Sequence, residues 1–247
     1  MNAYRADLHI HTVLSPCGDL EMSPGNIVTK AAEKGLDIIA ICDHNHTGHT
    51  RLTRELGARK GIWVLYGAEI NTREEVRCLT FFDTDEQVMK FQKELEGNLK
   101  KIPNDTKVLG HQVIVDEEEQ IVQEIEHSLY PALNWSIEEA AEVVHKLGGL
   151  FVPAHVDRFM NGLYAQLGMF PDGLEADAME ISRHSSVPAA EMEYPELGAF
   201  TLIQNSDAHY IEDIGRAGNS YLMESRNFKE LSLALRGEQG RSVLELQ

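Results

Sequence analysis

Apolar and polar positions alternate with period two at the start of the chain. Tyr4, Ala6, Leu8 and Ile10 fall on one side and Arg5, Asp7, His9 and His11 on the other, so both imidazoles project from one face of an extended segment. Ser23-Pro24 then reads as an N-cap with proline at the first helical position, predicting a helix to about Lys34, where Gly35 stops it. Leu36 to Cys42 is a continuous apolar run, the mark of a buried parallel strand, and Asp43-His44 falls at its C-terminal end. The pattern repeats. A helix over roughly 48–60 ends at Gly61, and a strand from Ile62 to Tyr66 leads into Gly67-Ala68-Glu69. Glu75 to Phe82 predicts another strand and Asp85 to Lys101 an amphipathic helix.

The stretch 108–126 is less regular. Gln112–Val115 and Gln120–Val122 flank the acidic run Asp116–Glu119, which suggests a hairpin insertion around 108–130, with a helical start in EEEQIVQEIEH as the alternative. Ser136 and Glu139 form a capping box for a helix ending near Gly148-Gly149, and the strand Leu150–Ala154 ends at His155. Further strands are expected over Gly173–Ser182 and Thr201–Asn205, the latter followed by Asp207 and His209, and a last helix over Asn227–Arg236. Helix and strand in alternation imply parallel βα units, whose chemistry gathers at the C-terminal ends of the strands. His9, His11, His44, Glu69, His155, Asp207 and His209 all fall there, and imidazole with carboxylate is a donor set for divalent metal. His127 and His145 sit in helical or surface contexts.

Composition narrows the picture. A chain of 247 residues is long enough for one large domain, expected to span 1–247. No apolar run is long enough to cross a bilayer, and the start MNAYRADLHIH lacks the apolar stretch of a secretory signal, so the expected location is cytoplasmic, with no membrane partner. Cys17, Cys42 and Cys78 are too few and scattered for a disulfide framework and are expected as reduced thiols. The formal charge of −18 disfavours electrostatic binding to long nucleic acid, so none is expected as a partner. A small phosphorylated ligand stays compatible once carboxylates are occupied by metals.

The segments DLHIH, ICDHN, GAEI, VPAHVDR and NSDAHYIEDIG, in that order over residues 7–216, resemble the PHP family, the polymerase and histidinol phosphatase domain. The resemblance implies a distorted (β/α)7, TIM-like barrel with its metal site at the C-terminal strand ends. Two or three divalent ions (manganese, iron or zinc) are implied as cofactors. Residue by residue, His9, His11, Glu69 and Asp207 would hold one ion. Glu69 would bridge to a second ion with His155, and His44 with His209 would hold a third. Asp7 would orient a ligating imidazole from behind, and Asp43 would do the same for His44.

Two positions depart from the family pattern. Asp19 is the expected completion of the third site, with Cys17 as its rival. Arg77 stands where relatives often carry a histidine ligand, eight residues after Glu69, and a guanidinium cannot ligate metal. The implied activity is a metal-dependent phosphoesterase hydrolysing a small nucleotide-like or sugar-like phosphomonoester through a metal-activated water. Glu69 and Arg158, with His184 as leaving-group acid, are the catalytic candidates, and Arg183 is a second-tier substrate contact. Rival readings are an amidohydrolase-type hydrolase and a metal-binding PHP domain, weak or inactive in catalysis, with a regulatory or structural role.

Overall fold

A computed structural model describes residues 1–245. The HxH strand is β1 (Asn2–Ile10); the capped helix α1 (Pro24–Glu33) leads to β2 (Ile38–Ile41), and α2 (Thr50–Arg59) leads to β3 (Trp63–Asn71). These three strands are parallel and adjacent. β4 (Arg77–Phe82) folds straight back on β3 as an antiparallel hairpin. Next come α3 (Asp85–Asn98), α4 (Thr106–Leu109), the antiparallel pair β5 (Val113–Val115) and β6 (Ile121–Glu124), α5 (Ile137–Lys146) and β7 (Leu150–Pro153), antiparallel to β4. Reciprocal capping boxes start α3 at Thr84/Gln87 and α5 at Ser136/Glu139, satisfying helix N–H groups that would otherwise lack partners.

The C-terminal part holds α6 (Leu163–Leu167), β8 (Met179–Glu180), α7 (Val187–Glu193), β9 (Leu202–Ile203), β10 (Asn219–Met223), α8 (Phe228–Leu235) and β11 (Ser242–Glu245). Seven strands form one sheet in the order β11-β10-β1-β2-β3-β4-β7, with β8 and β9 a separate parallel pair. That pair bridges the sheet's two faces of closure by isolated backbone bonds. Asp177 N donates to Phe151 O (2.9 Å) and Val156 N to Glu180 O (2.9 Å) on the β7 side. On the β1 side His11 N donates to Ala208 O (2.9 Å) and Ala208 N to His9 O (3.2 Å). Inside, one wholly buried cluster gathers Ala6 and Leu8 of β1, Ala40 of β2, Leu65 of β3, Leu79 and Phe81 of β4, Val152 of β7 and Ile203 of β9. Side chains from strands that are not neighbours meet this way only within a curled sheet.

The architecture is therefore mixed α/β with a curled seven-stranded sheet, as a distorted barrel requires, but not a regular (β/α)7 alternation. β4 runs antiparallel to both neighbours because five residues between it and β3 leave no room for a crossover helix. The strand expected over Gly173–Ser182 shrinks to two residues, and β10 and β11 add an antiparallel edge. No helix among the described residues is long and apolar enough to cross a membrane.

Candidate metal centre

Glu69, wholly buried at the C-terminal part of β3, is the hub of the cleft. Its Oε1 lies 3.1 Å from His155 Nε2 and 3.5 Å from His9 Nε2; its Oε2 lies 2.8 Å from His44 Nδ1 and 3.7 Å from His11 Nε2. Asp207 Oδ1 faces the two strand histidines at 3.3 and 3.4 Å. Two groups among the described residues bring ligand atoms within 4.8 Å of one another: His9, His11 and Glu69; and His11, His44 and His209. His11 belongs to both.

The backbone bends sharply to achieve this. His155 (φ 32°), Asp207 (φ 51°) and Asn45 (φ 48°) occupy the left-handed region although none is glycine, a conformation that costs about 1–3 kcal/mol and persists only where surroundings enforce it. Asn45 shows the enforcement: its Nδ2 donates to Leu129 O (2.8 Å) and Pro131 O (3.0 Å), and its Oδ1 accepts from Asn71 N. A register shift between Asp7 and Ile10 in the β1–β2 ladder sits at the HxH pair.

Charge and hydrogen bonding set the ring states. Burial would strip His9 of its proton, but Glu180, Asp207 and Glu69 overcome burial and push it up to about 10. Burial, reinforced by His209 and His44, holds His11 well below the usual imidazole range. Burial and Arg77 hold His44 down at about 4. Burial alone would raise Glu69, yet Arg77 and His9 hold it well below the carboxylate range. Ser15 Oγ donates to Asp43 Oδ1 (2.7 Å), so at 3.0 Å it accepts from His11 Nδ1–H, leaving the Nε2 lone pair of His11 facing the cleft. Glu180 does the equivalent for His9 Nδ1 at 3.1 Å.

The cleft fits a divalent cation. His9 Nε2 and His11 Nε2 face each other at 3.1 Å, a contact between two acceptors unless a proton or a cation lies there. Asp207 Oδ1 and His155 Nδ1 are buried with no hydrogen-bond partner, unusual unless another ligand satisfies them. Imidazole nitrogen and carboxylate oxygen suit zinc, manganese and iron.

Not every expected residue arrives. Asp19 and Cys17 both lie outside the two groups; Asp19 Oδ1 accepts from Glu21 N, whereas Cys17 Sγ is 3.1 Å from His44 Nε2. Burial pushes the Cys17 thiol up to about 11. Arg77 Nη1 lies 3.3 Å from Glu69 Oε2. Arg158 Nη1 pairs with Asp207 Oδ2 at 2.7 Å, and Arg183 Nη1 donates to Ser206 O at 3.0 Å. His184 is exposed next to it.

Asp7 does not orient an imidazole. Its carboxylate accepts from Ser206 N (3.1 Å) and Gly215 N (2.9 Å), holding the loop that carries Asp207 and His209. Asp43 serves His11 through Ser15 rather than the His44 ring, and also accepts from Thr12 N at 2.7 Å. The residue that sequence reasoning passed over is Glu180, which also accepts from His155 N and Asn205 Nδ2 at 2.9 Å each. Its signal was an acidic side chain inside the buried run Ala178–Ile181, where a charge must be paired.

Comparison with known proteins widens the view. YqxK of Bacillus subtilis, itself uncharacterised, is 25% identical over 281 aligned positions covering 99% of this chain and 65% of that protein. The lesion-specific endonuclease PfuEndoQ of Pyrococcus furiosus superposes with a TM-score of 0.76 at 22% identity, over 98% of this chain and 58% of its own. A protein from Bifidobacterium adolescentis, whose metal-dependent phosphoesterase activity is itself inferred, gives 0.55 at 20% identity, over 83% of this chain and 87% of its own. The chain thus spans under two thirds of the length of YqxK and of the endonuclease.

One of the similar structures is Endonuclease Q bound to a 27-mer duplex with an abasic lesion at its active site, TM-score 0.75 at 21% identity. The exclusion of long nucleic acid drawn from net charge is withdrawn on that finding. Net charge sums over the whole surface and does not describe the local field of the cleft, where Arg77, Arg158 and Arg183 gather. The PHP domain model matches residues 7–147, more than half of the chain, and the ligand-bearing strand ends DLHIH, ICDHN and GAEI all lie within that match: the chain belongs to the PHP family.

Proposed function

We propose that this cleft is the centre of a metal-dependent phosphoester hydrolase. One observation carries the reading: Glu69 stands among four imidazoles, His11 turns its Nε2 lone pair to the cleft beside it, and guanidiniums pair with both Glu69 and Asp207. In this reading His9, His11, Glu69 and Asp207 hold one ion, Glu69 and His155 share in a second position, and His44 with His209 serves a third. Divalent ions, when bound, lower the pKa of water towards neutrality and polarise phosphoryl oxygen. Arg158 uses part of its five-donor fork on Asp207 and has the remainder for a phosphate oxygen. His184, exposed beside Arg183, is our candidate for protonating the leaving oxygen.

For the substrate we propose a nucleic-acid phosphodiester in preference to a free nucleotide-like or sugar-like phosphomonoester. Support comes from the likeness to the lesion-specific endonuclease over 98% of this chain, against the lower TM-score of the phosphoesterase-like protein. Phe159 and Met160, 93% and 73% exposed directly after Arg158, add apolar surface at the rim on which a base can stack. The test is a panel with manganese or zinc supplied: a duplex with one abasic site, the same duplex intact, a nitrophenyl phosphomonoester and an amide. Incision of the lesion duplex is the expected result; release from the monoester alone would move the substrate to small molecules, and amide cleavage alone would end the phosphoester reading. A second reading, a metal-binding domain without turnover, draws on Arg77 pairing with Glu69, and metal uptake without hydrolysis of any panel member would favour it.

A further inference from the structure

We propose that Cys17 supplies a thiolate ligand to a cation held with His44 and His209, so that one position of the centre is a sulfur-nitrogen site. The proposal rests on the cleft being a metal centre and is independent of which bond it hydrolyses. The loop carrying Cys17 is fixed at several points. Ser15 N donates to Thr12 O (3.1 Å), Gly18 N to Ser15 O (2.8 Å), and Val13 N to Met22 O (2.9 Å). A Cβ at position 18 would stand 2.2 Å from Thr12 O, so glycine alone closes this turn. Asp19 N donates to His209 O at 2.9 Å, which ties the loop directly to the backbone of a ligand candidate.

The result is the 3.1 Å separation of Cys17 Sγ from His44 Nε2. Zinc bonds of about 2.3 Å to sulfur and about 2.0 Å to nitrogen, at a tetrahedral angle, set the two ligand atoms roughly 3.5 Å apart, so a small side-chain adjustment admits the ion. The imidazoles are already assembled: ring nitrogens of His11, His44 and His209 lie within 4.8 Å of one another and the His11 and His209 rings stack at 4.1 Å, while Cys17 Sγ stands just outside this group, joined to it through His44. Asp207 Oδ1, buried without a hydrogen-bond partner, also lies 3.6 Å from His209 Nδ1, which places an anionic atom of the neighbouring position beside this one.

No disulfide competes for the Cys17 thiol, which also lies beside the Tyr130 hydroxyl. All three cysteines are free, and Cys42 and Cys78 are wholly buried. Asp19, the carboxylate expected at this position, has no atom in either ligand group, and its Oδ1 accepts from Glu21 N. Ligation replaces the S–H bond of Cys17 by a sulfur–cation bond and releases one proton to solvent, with no change of oxidation state. A thiolate beside imidazoles favours zinc or iron over magnesium.

The test uses the full chain, stripped of metal and titrated with cobalt(II) alone. The expected result is a near-ultraviolet thiolate-to-cobalt absorption that Cys17→Ser lacks, while the variant keeps the visible bands of cobalt on nitrogen and oxygen ligands. A thiol reagent on native protein gives the second readout: one reactive thiol per chain without metal, none after zinc. Absence of the band in the wild type, its persistence in Cys17→Ser, or equal thiol reactivity with and without zinc would each overturn the proposal. If Cys17→Ser failed to fold, the wild-type band and thiol protection decide together. A band without hydrolysis would refute the proposed function alone; metal-restored hydrolysis without the band would refute the Cys17 assignment alone.

Discussion

Replacing Glu180 by glutamine tests whether a buried carboxylate outside the ligand set governs the centre. Glu180 is 2% exposed, and its two oxygens receive His9 Nδ1, His155 N and Asn205 Nδ2. Glutamine keeps the shape but turns one oxygen into a donor. Whichever way the amide faces, that donor meets either the His155 N–H or the Asn205 amide, leaving buried donors unpaired at about 1–3 kcal/mol. The charge-assisted bond to His9 weakens as well, so the metal-free protein should lose about 2–4 kcal/mol of stability. Loss of Glu180, first among the charges that push His9 up to about 10, would lower the basicity of that ring, and a less basic imidazole binds metal less tightly. Loss of such a supporting partner lowers metal affinity about 10–100-fold. Competition with a chromogenic chelator for zinc, beside urea unfolding of the metal-free form, reads both numbers. Affinity within twofold of the wild type in a folded variant would refute the orienting role assigned to Glu180.

Three further outcomes follow from the structure. Arg77→His replaces the guanidinium 3.3 Å from Glu69 with a ligand and should add one ion per chain by elemental analysis; unchanged content would mean that Arg77 does not stand in for a cation. Asp177→Asn, at the opposite end of β7 from His155, disrupts bonds from Phe151 N (2.7 Å), His145 Nε2 (2.9 Å) and Arg236 Nε (2.7 Å), and should cost about 2–4 kcal/mol and several degrees in Tm while metal content stays unchanged. A Tm within one degree of wild type would refute it. His49 accepts from Val115 N (2.9 Å) and meets Thr12 Oγ1 (2.6 Å), and burial, with His46 nearby, holds it down at about 4. Because its folded pKa lies below its unfolded one, its contribution is complete above pH 6.5 and lost as pH falls towards 4, about 3 kcal/mol over that window. His49→Gln should flatten that part of the pH–stability curve measured by urea unfolding, and an unchanged slope would refute the assignment.

The sequence was most informative where one residue's surroundings are local. Period-two alternation placed both imidazoles of β1, and the capping boxes at Ser136 and the Ser23-Pro24 start marked helices that the structure contains. Strand ends were readable because a buried apolar run followed by a polar residue needs no knowledge of neighbours. What stayed hidden depends on distant partners. The direction of β4 is set by pairing with β3 and β7, not by its own residues. β8 is two residues long because Asp177 N bonds to Phe151 of β7, and the ladder with β9 begins only at Met179. Asp7 was expected behind a ligating imidazole, yet its bonds go to Ser206 and Gly215, some 200 positions away. Glu180 belonged to no motif, and only the assembled sheet reveals which imidazole it serves.

The closure between β1 and the segment after β9 has a consequence for how the protein is made. Leu8 and Asn205, joined by a 2.7 Å bond at this seam, are 197 positions apart, and Asp207 and His209 follow immediately. At ribosomal rates of about 5–20 residues per second, the histidines of β1 wait roughly 10–40 s for the residues that complete their cleft. Until then the nascent chain carries an HxH pair with no carboxylate from the far side and no seam to shape it. The candidate metal centre is therefore assembled only after Asp207 and His209 have been made, however early β1 forms. Fragments that stop short of Asn205 lack both this seam and two of the candidate ligands, so chain order alone delays the completion of the cleft.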